Sequence, residues 1–344
     1  MSKEPRRQTT RIPRPRRPAP AAGLAPKDRA ILAAMALDAR CSLTALARRV
    51  GLSKQVVSYR LRQLEDLGII RGYHAIPDVY RLGKAHFRVF VKYHGLERDA
   101  EARLVNDLKR CPEISWLTLL DGDFDLEFVV WADHIMEFEQ IYDRILSRYG
   151  TYFREKYFSI ATRVEYLPLR FLQPGGRRCR GLVFGGGCER RILDEPDRRI
   201  LYEANHSGRI SLADLAGKLG MSVAAARHRL QALIDSRVII GFGINLDHKL
   251  LGLTYRKVLV QLNAPAPATI ARLEAYLRRQ RGVIFLVKTI GAYDFEFELL
   301  TGTNEEFYHF MKAFRSGFAA DIKFHSHVIV HDELKYGRLS PHSL

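Results

Sequence analysis

Cysteine is scarce in this chain. Cys41, Cys111, Cys179 and Cys188 are scattered with no CxxC pair among them, which argues against a disulfide framework or a zinc site. No apolar stretch reaches the length of a membrane span, and the N-terminal Arg/Pro run lacks the apolar core of a secretory signal. Also missing are a Ser-His-Asp order, a cluster of paired carboxylates and a nucleotide fingerprint, and Gly185-Gly186-Gly187 lacks the Lys-Ser/Thr partner of a phosphate loop. His325, His327 and His331 share one face of a strand and could ligate a metal, but they read better as interface or partly buried histidines. The sequence therefore nominates no catalytic residue, no cofactor and no metal, and the expected location is cytoplasmic with reduced thiols.

Acidic residues are in deficit. Against 55 Lys and Arg stand 38 Asp and Glu, leaving a formal net charge of +17, which suits contact with polyanions such as DNA, RNA or an anionic membrane surface. The excess is concentrated. Residues 1 to 20 carry seven basic side chains against Glu4, and residues 170 to 191 carry six against Glu189. Both segments are rich in Pro or Gly and lack hydrophobic periodicity, so they read as a flexible arm and a linker. Such an arm could lie along phosphates or enter a minor groove.

What the sequence has in full measure is self-similarity. At an offset of 169 residues, Asp28 meets Asp197, Ser42 meets Ser211, Gly51 meets Gly220, Ser53 meets Ser222, Arg60 meets Arg229 and Gly72 meets Gly241. The offset persists to Gly122/Gly291, Asp125/Asp294, Glu127/Glu296 and Phe128/Phe297. Two whole units are duplicated. In the first, Ile31, Leu32 and Met35 mark one helix, Ser42 caps a second that Gly51 breaks, and Ser53 caps a third running through Val57, Leu61 and Leu64 to Gly68. Two short helices joined by a Gly-containing turn form the helix-turn-helix pattern. Beyond it the period switches to two: Phe87, Val89, Val91 and Tyr93 alternate as a half-buried strand. A helix over 100–110, strands over 114–120 and 125–131, a helix over 134–149 capped by Asp133 and a strand over 152–164 complete a β-α-β-β-α-β order, with helices on one face of an antiparallel sheet. The second unit repeats this to Val330, with Thr303 and Glu306 as a capping box.

The third helix offers Lys54, Gln55, Ser58, Tyr59 and Arg62 away from its apolar stripe. A recognition helix reads base edges and phosphates with such side chains near its N-terminal end. Its cap Ser53, the preceding cap Ser42, Arg60 and the following Arg71 are further DNA-binding candidates. The second unit presents Val223, Ala224, Arg227 and His228 at the equivalent places, with Ser222 and Arg229 beside them, so it has fewer groups able to read bases. Arg60 and Arg229 could bond phosphate or pair with Glu65 or Asp235. The corners Gly122-Asp123-Phe124-Asp125 and Gly291-Ala292-Tyr293-Asp294 recur in both units. A tight turn explains their glycines but not the repeated aromatic-Asp pair.

In combination and order, Asp28-Arg29-x-Ile31-Leu32, the Ser42 to Ser53 stretch, Arg60-Leu61 through Gly72-Tyr73 and Gly122 to Asp125 resemble the leucine-responsive and asparagine regulator (Lrp/AsnC, feast/famine) family of transcription regulators. The likeness covers about 28 to 168 and 197 to 335. It implies an α+β chain with two winged helix-turn-helix domains and two ferredoxin-like βαββαβ (RAM-type) domains in tandem. The expected boundaries are a basic arm to 24, a first DNA-binding domain 25–75, a first sensor 84–168, a linker 169–193, a second helix-turn-helix 194–244 and a second sensor 254–335. The resemblance further implies double-stranded DNA as partner, no membrane, and a small-molecule effector such as an amino acid at the two corners, residues 122–125 and 291–294. It also implies a homo-oligomer, or an intramolecular pseudo-dimer assembling further. Two alternatives share the pattern: a fused siroheme decarboxylase of the same architecture, and an architectural protein that binds DNA without sequence preference.

Overall fold

The computed structural model describes residues 23–172, 181–187 and 189–341; most of the expected arm, with Cys179 and Cys188, lies outside them. The first unit opens with α1 (Pro26–Met35), α2 (Leu43–Val50) and α3 (Lys54–Asp66). Local chemistry sets their ends. Ser42 Oγ accepts the Ala45 N–H at 3.1 Å, Ser53 Oγ accepts the Val56 N–H at 3.3 Å, and Gly51 stops α2 at a left-handed φ of 66°. The wing strand β1 (Ile70–Pro77) follows, then β2 (Ala85–Tyr93), α4 (Arg98–Arg110), β3 (Ile114–Gly122), β4 (Leu126–Ala132), α5 (Ile135–Tyr149) and β5 (Phe153–Tyr166). The cap of α5 is His134, whose Nδ1 accepts the Glu137 N–H at 3.2 Å, and not Asp133. Asp133 instead donates its backbone N–H to the Glu137 carboxylate, which reaches back past the cap.

Strand β6 (Leu182–Gly185) falls within the stretch expected to be linker and pairs with Arg163–Tyr166 of β5. Composition hid it, because one apolar anchor, the buried Phe184, suffices when a ready strand edge supplies the hydrogen bonds. The second unit runs α6 (Glu195–His206), α7 (Leu212–Leu219), α8 (Val223–Asp235), β7 (Ile239–Leu246), β8 (Thr254–Leu262), α9 (Pro267–Leu277), β9 (Val283–Gly291), β10 (Phe295–Thr301), α10 (Asn304–Gly317) and β11 (Ile322–Lys335). Thr303 caps α10 as expected, its Oγ1 accepting the Glu306 N–H at 3.0 Å.

Each unit's sheet has the ferredoxin-like order, β5-β2-β4-β3 in the first unit and β11-β8-β10-β9 in the second. Neither keeps a free edge. Strand β5 pairs with β9 and β11 pairs with β3, so the two sheets join into an eight-stranded closed ring, with β6 added outside β5. Helices α4 and α5 cover the outer face of one half and α9 and α10 that of the other, while the inner faces meet each other around Phe90, Phe124, Leu259 and Tyr293. Strand β2 is consequently buried on both faces instead of the expected one, and all seven residues of β4 are buried.

The ring also encloses charge. Arg88 lies 2.7 Å from Glu127 and 3.0 Å from Glu296, and its repeat equivalent Lys257 contacts Glu127 and lies 3.2 Å from Glu298. Burial pushes the Glu127 carboxyl up, but Lys257 and Arg88 outweigh it and hold the group below its ordinary value. Glu296 is pushed up to about 7 by burial. Glu333 is pushed up to about 8 by burial and then by Glu298 beside it.

These groups give stability a definite dependence on pH. Burial holds His74 and His248 down to about 4, so their contribution is lost as pH falls from the ordinary histidine range towards 4. The raised Glu296 and Glu333 act in the opposite sense: the folded chain keeps protons that the unfolded chain releases, and that stability is lost as pH rises through 7 and 8. The expected outcome is a urea midpoint that declines from pH 6.5 to 8, with Glu333→Gln flattening most of the decline. A midpoint that stays constant or rises over that range contradicts it.

Candidate functional site

The two helix-turn-helix domains are clasped face to face. Strands β1 and β7 pair antiparallel, Tyr73 opposite Ile244. Two reciprocal sets of bonds flank them. The Ala39 N–H donates to Phe242 O at 2.8 Å and the Gly208 N–H to Tyr73 O at 2.9 Å. Arg40 Nη1 donates to Gly208 O at 2.8 Å and Arg209 Nη1 to Ala39 O at 2.6 Å. Each guanidinium also covers a ring, Arg40 that of Phe242 and Arg209 that of Tyr73. Sequence inspection passed over Arg40 and Arg209, although they are identical at the 169-residue offset.

On α3, Lys54, Gln55, Tyr59 and Arg62 are exposed and Ser58 is half-buried. Gln63 Nε2 donates to the Tyr59 hydroxyl at 2.8 Å, steadying a ring that is 62% exposed. Helix α8 exposes Val223, Ala224, Arg227 and His228 at the matching positions. The scaffold is common to both, and the hydrogen-bonding chemistry is not.

Several of the other candidates have their polar atoms engaged inside the protein. The hydroxyls of Ser42, Ser53 and Ser222 accept cap bonds, Ser222 from the Ala225 N–H at 3.2 Å. Arg60 pairs with Asp28 at 2.9 Å, and Arg229 with Asp194 and Asp197, both at 2.8 Å. The partners expected from sequence, Glu65 and Asp235, sit five and six residues along the same helix, off the face that i+3 and i+4 neighbours share. The carboxylates used come instead from α1 and from the start of α6. Arg71 Nη1 donates to the Tyr336 hydroxyl at 2.8 Å while its Nη2 contacts Asp247, which binds the wing to the second unit.

The two recurring corners sit where the units join. Asp125 accepts the Tyr93 N–H at 2.6 Å and Lys92 Nζ at 3.0 Å, and Asp294 accepts the Leu262 N–H at 2.7 Å. The carboxylate thus locks the end of the neighbouring strand in each copy. Phe124 and Tyr293 insert their rings between the units against Phe90, with centroids 5.3 and 6.1 Å away. Both jobs explain the aromatic-Asp repeat. Asp123 receives the Ser326 hydroxyl across the junction, and the Ala292 N–H donates to Phe158 O at 2.8 Å. Gly122 and Gly291 have φ of 126° and 132° and lie against β11 and β5, edge strands of the opposite unit.

His327 packs its ring on Phe307 at 5.0 Å, and among the described residues no group of three His, Cys, Asp or Glu side chains is placed to hold a metal. At the far end of the β3–β4 and β9–β10 hairpins from the corners, a cavity of about 130 Å³ separates the ring from the β1/β7 ribbon. Both tryptophans of the chain, Trp116 and Trp131, line it, together with Glu333.

Comparison with known proteins bears on both halves. A family described as winged helix-turn-helix DNA-binding matches residues 24–71 and 193–240. The proline dehydrogenase transcriptional activator of Rhodobacter capsulatus is 35% identical over 121 residues, 35% of this chain and 79% of that protein. The transcriptional regulator LrpA of Pyrococcus horikoshii is 31% identical over 108 residues, 31% of this chain and 74% of the relative. Each spans about one of the two units. In fold, the crystal structure of the siroheme decarboxylase NirDL resembles the chain over 91% of its length and 94% of the other, with a TM-score of 0.60 at 16% identity.

A Cβ at position 291 would collide with the Phe158 carbonyl oxygen, whereas at 122 it would meet His327 O at 3.2 Å. Gly291→Ala is therefore expected to cost about 2 kcal/mol of stability and Gly122→Ala less, as read from urea midpoints. Equal effects would show that the close approach at β5 is not what demands the glycine.

Proposed function

This chain belongs to the Lrp/AsnC family of DNA-binding transcription regulators, and on that premise we propose that it reads DNA asymmetrically, α3 supplying sequence discrimination and α8 mainly backbone contact. The observation that carries this is the contrast at matched positions: Lys54, Gln55, Ser58, Tyr59 and Arg62 against Val223, Ala224, Arg227, His228 and Gln231. Arg60, Arg229 and Arg71 act indirectly, by holding the reading helices and the wing in place. The clasped pair is one intramolecular pseudo-dimer acting in the cytoplasm, and further assembly builds on it. The corners 122–125 and 291–294 form the effector site for an amino acid, which would bind where the two units meet and alter their fit. No catalysis is proposed.

The whole-length likeness to a siroheme decarboxylase favours a second reading, an enzyme acting on an acidic tetrapyrrole. The cavity beneath the ribbon weighs against it. About 130 Å³ is close to the space that holds one benzene, and among the described residues its lining includes Glu333, His74 and His248 but neither Lys nor Arg.

DNA binding is tested by selecting duplexes from sheared genomic DNA and measuring affinity against salt. Affinity is expected to fall steeply with salt, by about 0.9 log units per decade for each phosphate contact. Gln55→Ala with Tyr59→Ala should reduce discrimination between specific and random duplex by roughly tenfold or more, and Arg227→Ala with His228→Ala should lower affinity for both alike. Equal loss of discrimination in the two variants would sink the dominant first reader; uniform affinity for every fragment would favour an architectural role. For the effector, slowed amide exchange at Gly122 and Gly291 on adding an amino acid is expected. Unchanged exchange with every standard amino acid removes that assignment.

A further inference from the structure

The cavity beneath the ribbon combines three features. Its walls are aromatic: Trp116 and Trp131 at the open end of one hairpin, Phe285 at that of the other, with Tyr166 and Tyr336 beside them. Its one acidic group is unpartnered. Among the described residues no hydrogen bond or ion pair closes on the Glu333 carboxylate, and the half-buried residue lines the cavity. Donors and acceptors are also left over. Trp131 Nε1 and both ring nitrogens of His86 are buried without a partner, and His86 lines a smaller void of about 30 Å³ that shares Trp116, Trp131 and Phe285 with the main cavity. The nearby guanidinium of Arg88 is committed to Glu127 and Glu296.

A neutral ligand or an anion would leave Glu333 protonated, because its anionic form would have no counter-ion in the cavity. A cation gains from both the carboxylate and the faces of the rings. We propose that this cavity is a binding site for a small aromatic ammonium ion, its ring among Trp116, Trp131 and Phe285 and its ammonium against Glu333. The site lies at the opposite end of the hairpins from the corners and goes beyond the effector assignment made for them; its occupancy is measurable without DNA. Strands β1 and β7 roof it, and they leave the recognition helices directly, so a ligand here sits between reader and sensor.

Benzylamine, with toluene as the uncharged and benzoate as the anionic counterpart, probes the site in the full-length protein. Because Trp116 and Trp131 are the only two tryptophans in the chain, intrinsic emission reports occupancy directly. Saturable binding of benzylamine is expected, tighter than toluene, with an affinity about tenfold lower in Glu333→Gln and toluene affinity unchanged. A wild-type pH series checks the same point without a variant. The groups bearing on Glu333 are Glu298, Lys257, Arg71 and Glu127 with Tyr166, Tyr255 and Tyr336, and as the carboxyl ionises benzylamine affinity should rise between pH 6.5 and 8.5. Equal affinity for toluene, preference for benzoate, indifference to Glu333→Gln, a flat pH series, or no saturable response overturns the proposal.

Discussion

Edge-to-edge pairing between the two ferredoxin-like sheets is the constraint on which the rest of this molecule depends. A four-stranded ferredoxin-like sheet leaves two edges bearing unpaired N–H and C=O groups, which invite further pairing. Here β5 meets β9 and β3 meets β11, so each unit's edges are satisfied by the other's within one chain. Closure is what buries β2 and β4 on both faces, brings Arg88 and Lys257 into a shared ring of glutamates, and holds the two helix-turn-helix domains close enough for β1 and β7 to pair.

Closure also accounts for the chemistry of the corners. Phe124 and Tyr293 fill the centre of the ring, Asp125 and Asp294 fasten the strands beside them, and the two glycines allow the partner unit's backbone to approach. The corners thereby set how the two units fit together. The enclosed ion cluster adds rigidity of a different kind. Removing charges from water costs several kcal/mol per ion unless partners are well placed, and the shared pairing of Arg88 and Lys257 on Glu127 ties one unit's geometry to the other's.

Asymmetry enters through side chains on a backbone that is nearly two-fold. Arg40 and Arg209 repeat their contacts faithfully, as do Arg60 and Arg229, and these hold the scaffold. Helices α3 and α8 diverge where solvent, and not the protein itself, is the neighbour. The cavity is asymmetric too: Glu333 corresponds to Val164 and Trp131 to Leu300 at the repeat offset, so one side of a pseudo-symmetric space gained charge and a large ring.

Most local structure could be read from the residues. Ser42, Ser53 and Thr303 announced their helices because a cap bond spans three residues and needs nothing else. Gly51 announced a stop because left-handed backbone is cheap only without a Cβ. The repeat, the helix-turn-helix and the order of sensor elements followed from periodicity, which records which face of each element is apolar. Other features depended on distant partners. Arg60 finds Asp28 and Arg71 finds Tyr336 across gaps of 32 and 265 residues, β6 forms because β5 offers it an edge, and the cavity exists only where the ribbon meets the open end of the ring. The sequence by itself determined the elements, the duplication and the capping of the helices, since these rest on spacing within a few residues of one another. The closure of two sheets into one ring, the burial of its charges and the place of the cavity were decided by tertiary structure alone, because an exposed edge or an unpaired carboxylate acquires its meaning only from what the fold sets against it.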